Sequence, residues 1–223
     1  DWEPKAKKID RLTVKNISGD RVLDVRFGLS YLGTVVGNPE HADHREREQT
    51  ALNCRLLLDK ISIFRNNGEL DRNYVFSYNR NPLPPKNSSS TDHWGYYNVN
   101  SKSTSDQTFH YAPSYYRTYR NSEGQIQTGI WKGINKNSCS DRSQYGVLTS
   151  IKFPTGAETH FEYELNDFSN GFKDSADSLI RSGGGLRIKT ICDLSDKGDT
   201  ISVRTFAYTD ETGKSSGTLM SVP

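Results

Sequence analysis

The window SSSTDHWGYYN, Ser88 to Asn98, gathers hydroxyls, an acid–imidazole pair and three aromatic rings. An acid that orients an imidazole toward a serine hydroxyl makes an acyl-transfer centre. Asp92 and His93 are adjacent, however, and neighbours in extended chain point to opposite faces, a poor arrangement for one to hold the other. No GxSxG elbow surrounds the serines. The rings offer different chemistry. Trp94, Tyr96, Tyr97 and the more distant Trp131 are the candidate ligand-binding residues, because an aromatic face matches the apolar C–H face of a sugar. The same rings serve as inward plugs whose polar ends find hydrogen bonds, and Gly95 suits close packing. Packing is the reading adopted, with a glycan platform as the alternative.

Two further clusters carry chemistry in principle. Glu158, Glu162 and Glu164 share one face of a strand, where residues two apart sit ~6.5–7 Å from each other. That spacing suits the paired carboxylates of a glycoside hydrolase. An exposed polar strand face accounts for them more simply, and no catalytic residue is assigned. His41 and His44, with Glu40 or Glu48, resemble metal ligands one helical turn apart. The stretch is charged throughout, lacks apolar flanks and reads as a solvated loop or helix face. No metal and no cofactor are expected.

These residues must be held by a framework of strands. In RVLDVRFGLSY, Leu23, Val25, Phe27, Leu29 and Tyr31 fall on one face, with Asp24, Arg26 and Ser30 opposite. This predicts a long strand with one buried face, preceded by a turn at KNISGD and an earlier strand near Ile9 to Val14. Alternation recurs in DKISIFRNNGELDRNYVFSYN, in LTSIKFPTGAETHFEYE, and in LRIKTICDLSDKGDTISVRTFAYTD around Gly198. Three units close on aromatic-x-Tyr: Phe76 and Tyr78, Phe161 and Tyr163, Phe206 and Tyr208. Isolated hairpins are marginal in water, so successive ones are expected to stack and make these rings the core. The predicted fold is all-β, with antiparallel hairpins in an extended or two-layer sheet and one or two short helices.

Between the hairpins, GNPEHADHREREQTALN reads as a loop carrying a short helix. Residues 79–144 form a long aromatic and polar insertion, of a length that signals a functional loop or short strands hidden from the pattern. The triple Gly183-Gly184-Gly185 permits a bulge or a close backbone approach.

The 223 residues are read as one β-rich domain over 1–223, with 12 Tyr, 9 Phe and 3 Trp offsetting an apolar content of 33%. With 29 Lys plus Arg against 27 Asp plus Glu and no basic stripe, nucleic acid is not an expected partner. No apolar run reaches the ~18 residues that span a bilayer. Cys54, Cys139 and Cys192 form no CxxC pattern, and their disulfide status stays open. The chain opens on Asp1 without a signal peptide, which reads as a piece of a longer chain.

Several segments, taken in order, carry a family likeness: NPLPPKNSSSTDHWGYYN, YGVLTSIKFPTGAETHFEYE, GGGLRIKTI and GKSSGTLMSVP. They resemble segments of large Bacteroidetes surface or secreted proteins related to the RHS/YD-repeat group, lying before or among the repeats. The resemblance spans roughly residues 55–221. It implies a β-rich structural section, export to the cell surface or beyond, and the rest of its own longer polypeptide as partner; a scaffold or connecting role without chemistry of its own is the expectation adopted. It also gives meaning to Asp174-Ser175-Ala176, Asp177-Ser178-Leu179 and Asp199-Thr200-Ile201, which are similar to that phylum's O-glycosylation acceptors. The chain departs from the repeats in having few, unevenly spaced units and no autoproteolytic core motif.

Overall fold

A computed structural model of the chain describes residues 8–37, 43–99, 115–131, 133–173 and 179–220. The fold is all-β with two short helices. In chain order the elements are β1 (Arg11–Lys15), β2 (Arg21–Leu32), α1 (His44–Asn53), β3 (Arg55–Phe64), β4 (Leu70–Tyr78), β5 (Tyr115–Arg120), β6 (Ile126–Trp131), α2 (Ser140–Ser143), β7 (Leu148–Lys152), β8 (Glu158–Lys173), β9 (Leu179–Leu194) and β10 (Thr200–Thr205). Eight strands form one sheet in the order β1-β2-β3-β4-β7-β8-β9-β10, and β5 and β6 form a separate two-stranded sheet. The chain divides into two compact units. The first takes Asp1–Pro82, Gly146–Glu162 and Thr190–Arg204; the second takes Leu83–Tyr145, Tyr163–Lys189 and Thr205–Pro223.

One turn recurs. At Asn16, Arg65, Asn121, Phe153, Ser195 and Asp210 the backbone N–H donates to the carbonyl four residues ahead, at 2.7–3.0 Å. The same residue's carbonyl accepts from the N–H of a glycine three ahead: Gly19, Gly68, Gly124, Gly156, Gly198 or Gly213. Each glycine has φ between 76° and 90°. This is the type I turn closed by a left-handed residue and a bulge, a conformation that costs other residues about 1–2 kcal/mol. Asn16, Asn121, Ser195 and Asp210 also accept backbone N–H groups of their own turns through their side chains.

The turns set a phase. Phe76 and Tyr78 follow Gly68 at the interval at which Phe206 and Tyr208 follow Gly198. In both hairpins the tyrosine hydroxyl donates to the carbonyl twenty residues back, Leu58 at 2.9 Å and Ile188 at 2.7 Å. Phe161 and Tyr163 stand closer to Gly156 and are out of phase with the other two pairs.

The aromatic ends are not the core, contrary to the expectation above. Phe76, Tyr78, Phe161, Tyr163 and Tyr208 are half-buried, and Phe206 is 40% exposed. A tyrosine whose hydroxyl must reach a carbonyl at the strand edge keeps part of its ring near water. Among the described residues of the first unit, the buried apolar ones are Leu32, Cys54 and Leu57. Helix α1 starts from a capping box. Asp43 accepts from Glu46 N at 2.8 Å, and the Glu46 carboxylate accepts from Asp43 N at 3.0 Å. In the second unit the buried apolar residues are Ile134, Phe168 and Phe172.

The first hairpin keeps the predicted alternation at Leu23, Val25, Phe27 and Leu29, which are half-buried, and at exposed Arg26, and departs from it at two residues. Asp24, assigned to the outward face, is fully buried, whereas Tyr31 on the supposed inner face is 48% exposed. Arg11 straddles the Asp24 carboxylate from the paired strand at 2.5 and 2.8 Å, and Arg26 reaches it at 3.2 Å while stacking over Phe64. The guanidinium stems thus roof the carboxylate. Hydrogen bonding from Arg11 outweighs burial and holds Asp24 below the usual carboxylate range. Its stabilisation is present above the unfolded value of ~3.9 and is lost as pH falls through the lower folded value.

Within 79–144, the described part contains the β5–β6 hairpin, α2 and a bridge between Thr91 and Tyr97, so short strands are what the pattern concealed. Asp24→Asn should lower Tm by several degrees and speed amide exchange across Arg11–Lys15, leaving Leu148–Lys152 slow. Unchanged exchange in β1 would contradict the role given to this ion pair.

Candidate functional site

The loop from Ser88 to Asn98 is organised by the carboxylate of Asp92. One oxygen accepts the N–H groups of Trp94 and Tyr96 at 3.0 and 2.9 Å; the other accepts from Ser138 Oγ at 2.5 Å. Gly95, at φ 91°, closes the turn by donating to the Asp92 carbonyl. The buried Asn98 side chain donates to the carbonyls of Asn135 and Asn137. Lys136 reaches back to Thr91 Oγ1 at 3.2 Å, and His93 N donates to the Lys136 carbonyl.

The acid and the imidazole therefore do separate work. Asp92 is consumed by its own loop, and the His93 ring packs edge-on against Trp94 and Phe172, with centroids 5.8 and 6.0 Å away. Burial lowers the His93 pKa below its ordinary value; nearby Asp92 opposes this and Lys136 adds to it.

The loop's rings meet the triple glycine. Gly183, Gly184 and Gly185 all have positive φ within β9. A Cβ on Gly183 would overlap the benzo carbons Cζ3 and Cη2 of Trp94, and one on Gly185 would strike the Tyr96 hydroxyl. The close approach expected from the sequence is the approach of these two rings. Tyr97 packs instead on Tyr145, with centroids 5.7 Å apart. Trp131 ends β6, and its side chain lies outside the described residues. Of the candidate platform, Trp94 is the ring that lines a groove.

That groove encloses about 370 Å³ and belongs wholly to the second unit. Its polar wall is centred on Arg187, which sequence reasoning passed over. Arg187 donates to Glu164 Oε1 at 2.8 Å and to Asp167 Oδ1 at 2.7 Å, and its guanidinium lies 4.2 Å from the Tyr208 ring centre. Asp167 also accepts from Ser215 Oγ at 2.6 Å. Burial alone would raise the Asp167 pKa, but hydrogen bonds from Arg187 and Ser215 bring it below the usual carboxylate range. The last described segment completes the wall along β8. Ser169 N donates to the Gly217 carbonyl, and Leu219 exchanges two hydrogen bonds with the Asn170 side chain.

The carboxylates proposed for hydrolysis are otherwise engaged. Glu158 accepts from Lys152 at 2.9 Å and lies 3.0 Å from His160 Nε2, and these hydrogen bonds lower its pKa. A glycosidic general acid needs the opposite shift. Glu164 holds Arg187, and Glu162 is exposed. His44 lies on exposed α1, His41 falls outside the described residues, and no group of three metal-ligating side chains occurs among those described. Among the acceptor-like triplets, Thr200 begins β10 on the surface, and the residues from Asp174 to Ser178 are outside the described set. Cys54, Cys139 and Cys192 are free thiols.

No known family model matches the sequence, and no curated protein matches it. No helix among the described residues is long and apolar enough to cross a membrane.

Two outcomes follow for this loop. Gly183→Ala should cost about 2–4 kcal/mol in urea denaturation, combining left-handed strain with displacement of Trp94. Gly124→Ala, where a Cβ meets open space, should cost about 1–2 kcal/mol. Because the unfolded chain protonates His93 first, stability should fall as pH drops below ~6.5. His93→Phe should flatten the urea midpoint between pH 7 and about 5. Equal slopes in parent and variant would contradict the lowering of the His93 pKa by burial.

Proposed function

We propose that the chain is a non-catalytic structural section of a longer, exported surface protein of the RHS/YD-repeat kind, serving to connect neighbouring β-hairpins. One observation carries this reading: the same glycine turn closes hairpin after hairpin, with Phe-x-Tyr returning at one interval after Gly68 and Gly198. A chain built from interchangeable hairpins extends by adding another. Edge strand β1 suits such an addition, because it alternates Leu12 and Val14 yet leaves them 54% and 43% exposed. An exposed, apolar edge is a template for a further strand.

The chemistry-bearing residues point the same way. Asp92, Glu158 and Glu164 each spend their charge on a structural partner.

Hydrogen exchange on the native parent protein, compared with residues 1–223 alone, tests the reading. Protection across Arg11–Lys15 should rise at least tenfold in the parent, which should fractionate with the cell surface or the medium. Equal exchange in the two forms, or a parent retained in the cytoplasm, would overturn it.

A further inference from the structure

We infer that the groove beside Trp94 binds a short segment of a neutral glycan. This goes beyond the structural reading, which makes no use of the groove and does not depend on it.

The floor is aromatic. Backbone at Gly183 and Gly184 lies against the indole: a Cβ at the first would overlap its benzo carbons, and one at the second would stand 3.8–3.9 Å from Cε2 and Nε1. Trp94 thus packs against bare backbone at Gly183 and Gly184 and edge-on with His93, contacts that restrict its rotamers. Trp94 also lines the groove, and its indole adds apolar aromatic surface there. A pyranose ring presents a matching flat patch of C–H groups, and a preset aromatic surface binds it without the cost of ordering a side chain.

The polar wall selects against charge. Arg187 is held between Glu164 and Asp167 at 2.7 Å from each, and of the three Arg187 and Asp167 line the groove as an already paired cation and anion. An anionic ligand has to displace Asp167 from its guanidinium. A cationic ligand has to displace a guanidinium that is stacked on Tyr208 and shielded from solvent, with 16% of its side chain exposed. A neutral polyol needs neither. Its hydroxyls donate to the free lone pairs of Asp167 and accept from the remaining guanidinium N–H groups, and such charge-assisted bonds are about twice as strong as neutral ones. Volume sets the length: about 370 Å³ lies at the small end of the ~300–1,000 Å³ typical of small-ligand sites. The exposed Thr218 and Met220 border the groove, leaving room for a chain to run past.

The test uses residues 1–223 and calorimetric titration with cellohexaose, laminarihexaose, mannohexaose and maltohexaose, and with hexagalacturonic acid as the anionic arm. At least one neutral hexaose should bind saturably, and hexagalacturonic acid at least tenfold more weakly. Thr218→Tyr fills the groove from an exposed position, and it should weaken binding at least tenfold while Tm stays within a degree of the parent. In a Trp2→Phe, Trp131→Phe background, Trp94 emission should shift with the bound sugar. No saturable heat with any neutral hexaose, tighter binding of the anion, or full binding by a folded Thr218→Tyr variant would each overturn the inference. None of these results would alter hydrogen exchange in β1, so failure here and failure of the structural reading are separable.

Discussion

To reverse direction between paired strands, this chain repeatedly enters the left-handed region at one residue, and that residue is glycine each time. The constraint is local, amounting to a crowded Cβ and two backbone hydrogen bonds, but its consequences are not. Because the turn has a fixed length, it fixes the register of the two strands it joins, and register decides which side chains share a face. The match between Phe76 and Tyr78 on one hairpin and Phe206 and Tyr208 on another follows from that. So does the return of each tyrosine hydroxyl to a carbonyl twenty residues back. The similarity between hairpins is the similarity of their turns, carried outward along the strands.

Long strands with alternating apolar residues were legible in the sequence. Leu23 to Tyr31, Ile61 with Ile63 and Tyr74 to Tyr78 all lie in strands of the main sheet. The β5–β6 hairpin was not legible, because YYRTYR and IQTGIW alternate poorly; the clue it did carry was the turn NSEGQ, built like its neighbours. The helix at His44–Asn53 was visible only as a helix-compatible stretch, although Asp43 and Glu46 stand at capping-box spacing. Asp24 was misplaced for a physical reason. Alternation assigns polar residues to water, but a carboxylate roofed by Arg11 and Arg26 keeps its hydrogen bonds and loses its exposure. The aromatic ends failed as a core because a Tyr whose hydroxyl is committed to a strand carbonyl cannot retreat from the edge.

The candidate site was half legible. Trp94 and the triple glycine both stood out, one as a ring in search of a role and the other as a place where something approaches. That they approach each other, across a long stretch of chain, is tertiary information. Arg187 was illegible because an arginine on an alternating strand looks like any other solvent-facing residue. Its setting comes from Glu164 and Asp167 on β8 and Tyr208 beyond β10. Asp92 illustrates the same limit in reverse. Its neighbours suggested catalysis, whereas its hydrogen bonds show a residue that holds a loop in shape so that Trp94 can lie on bare backbone.

The handedness of the turn is open to direct measurement. Gly198 is suitable because an added Cβ meets nothing within 4 Å, so packing does not confuse the result. Cys192 provides a ligation point for joining a synthetic C-terminal segment that carries L-alanine or D-alanine at position 198. D-alanine prefers positive φ and restricts the unfolded chain, so it should leave stability unchanged or raise it by up to about 1 kcal/mol. L-alanine should lower it by about 1–2 kcal/mol. Equal losses from the two enantiomers would mean that left-handed backbone does not govern these hairpins.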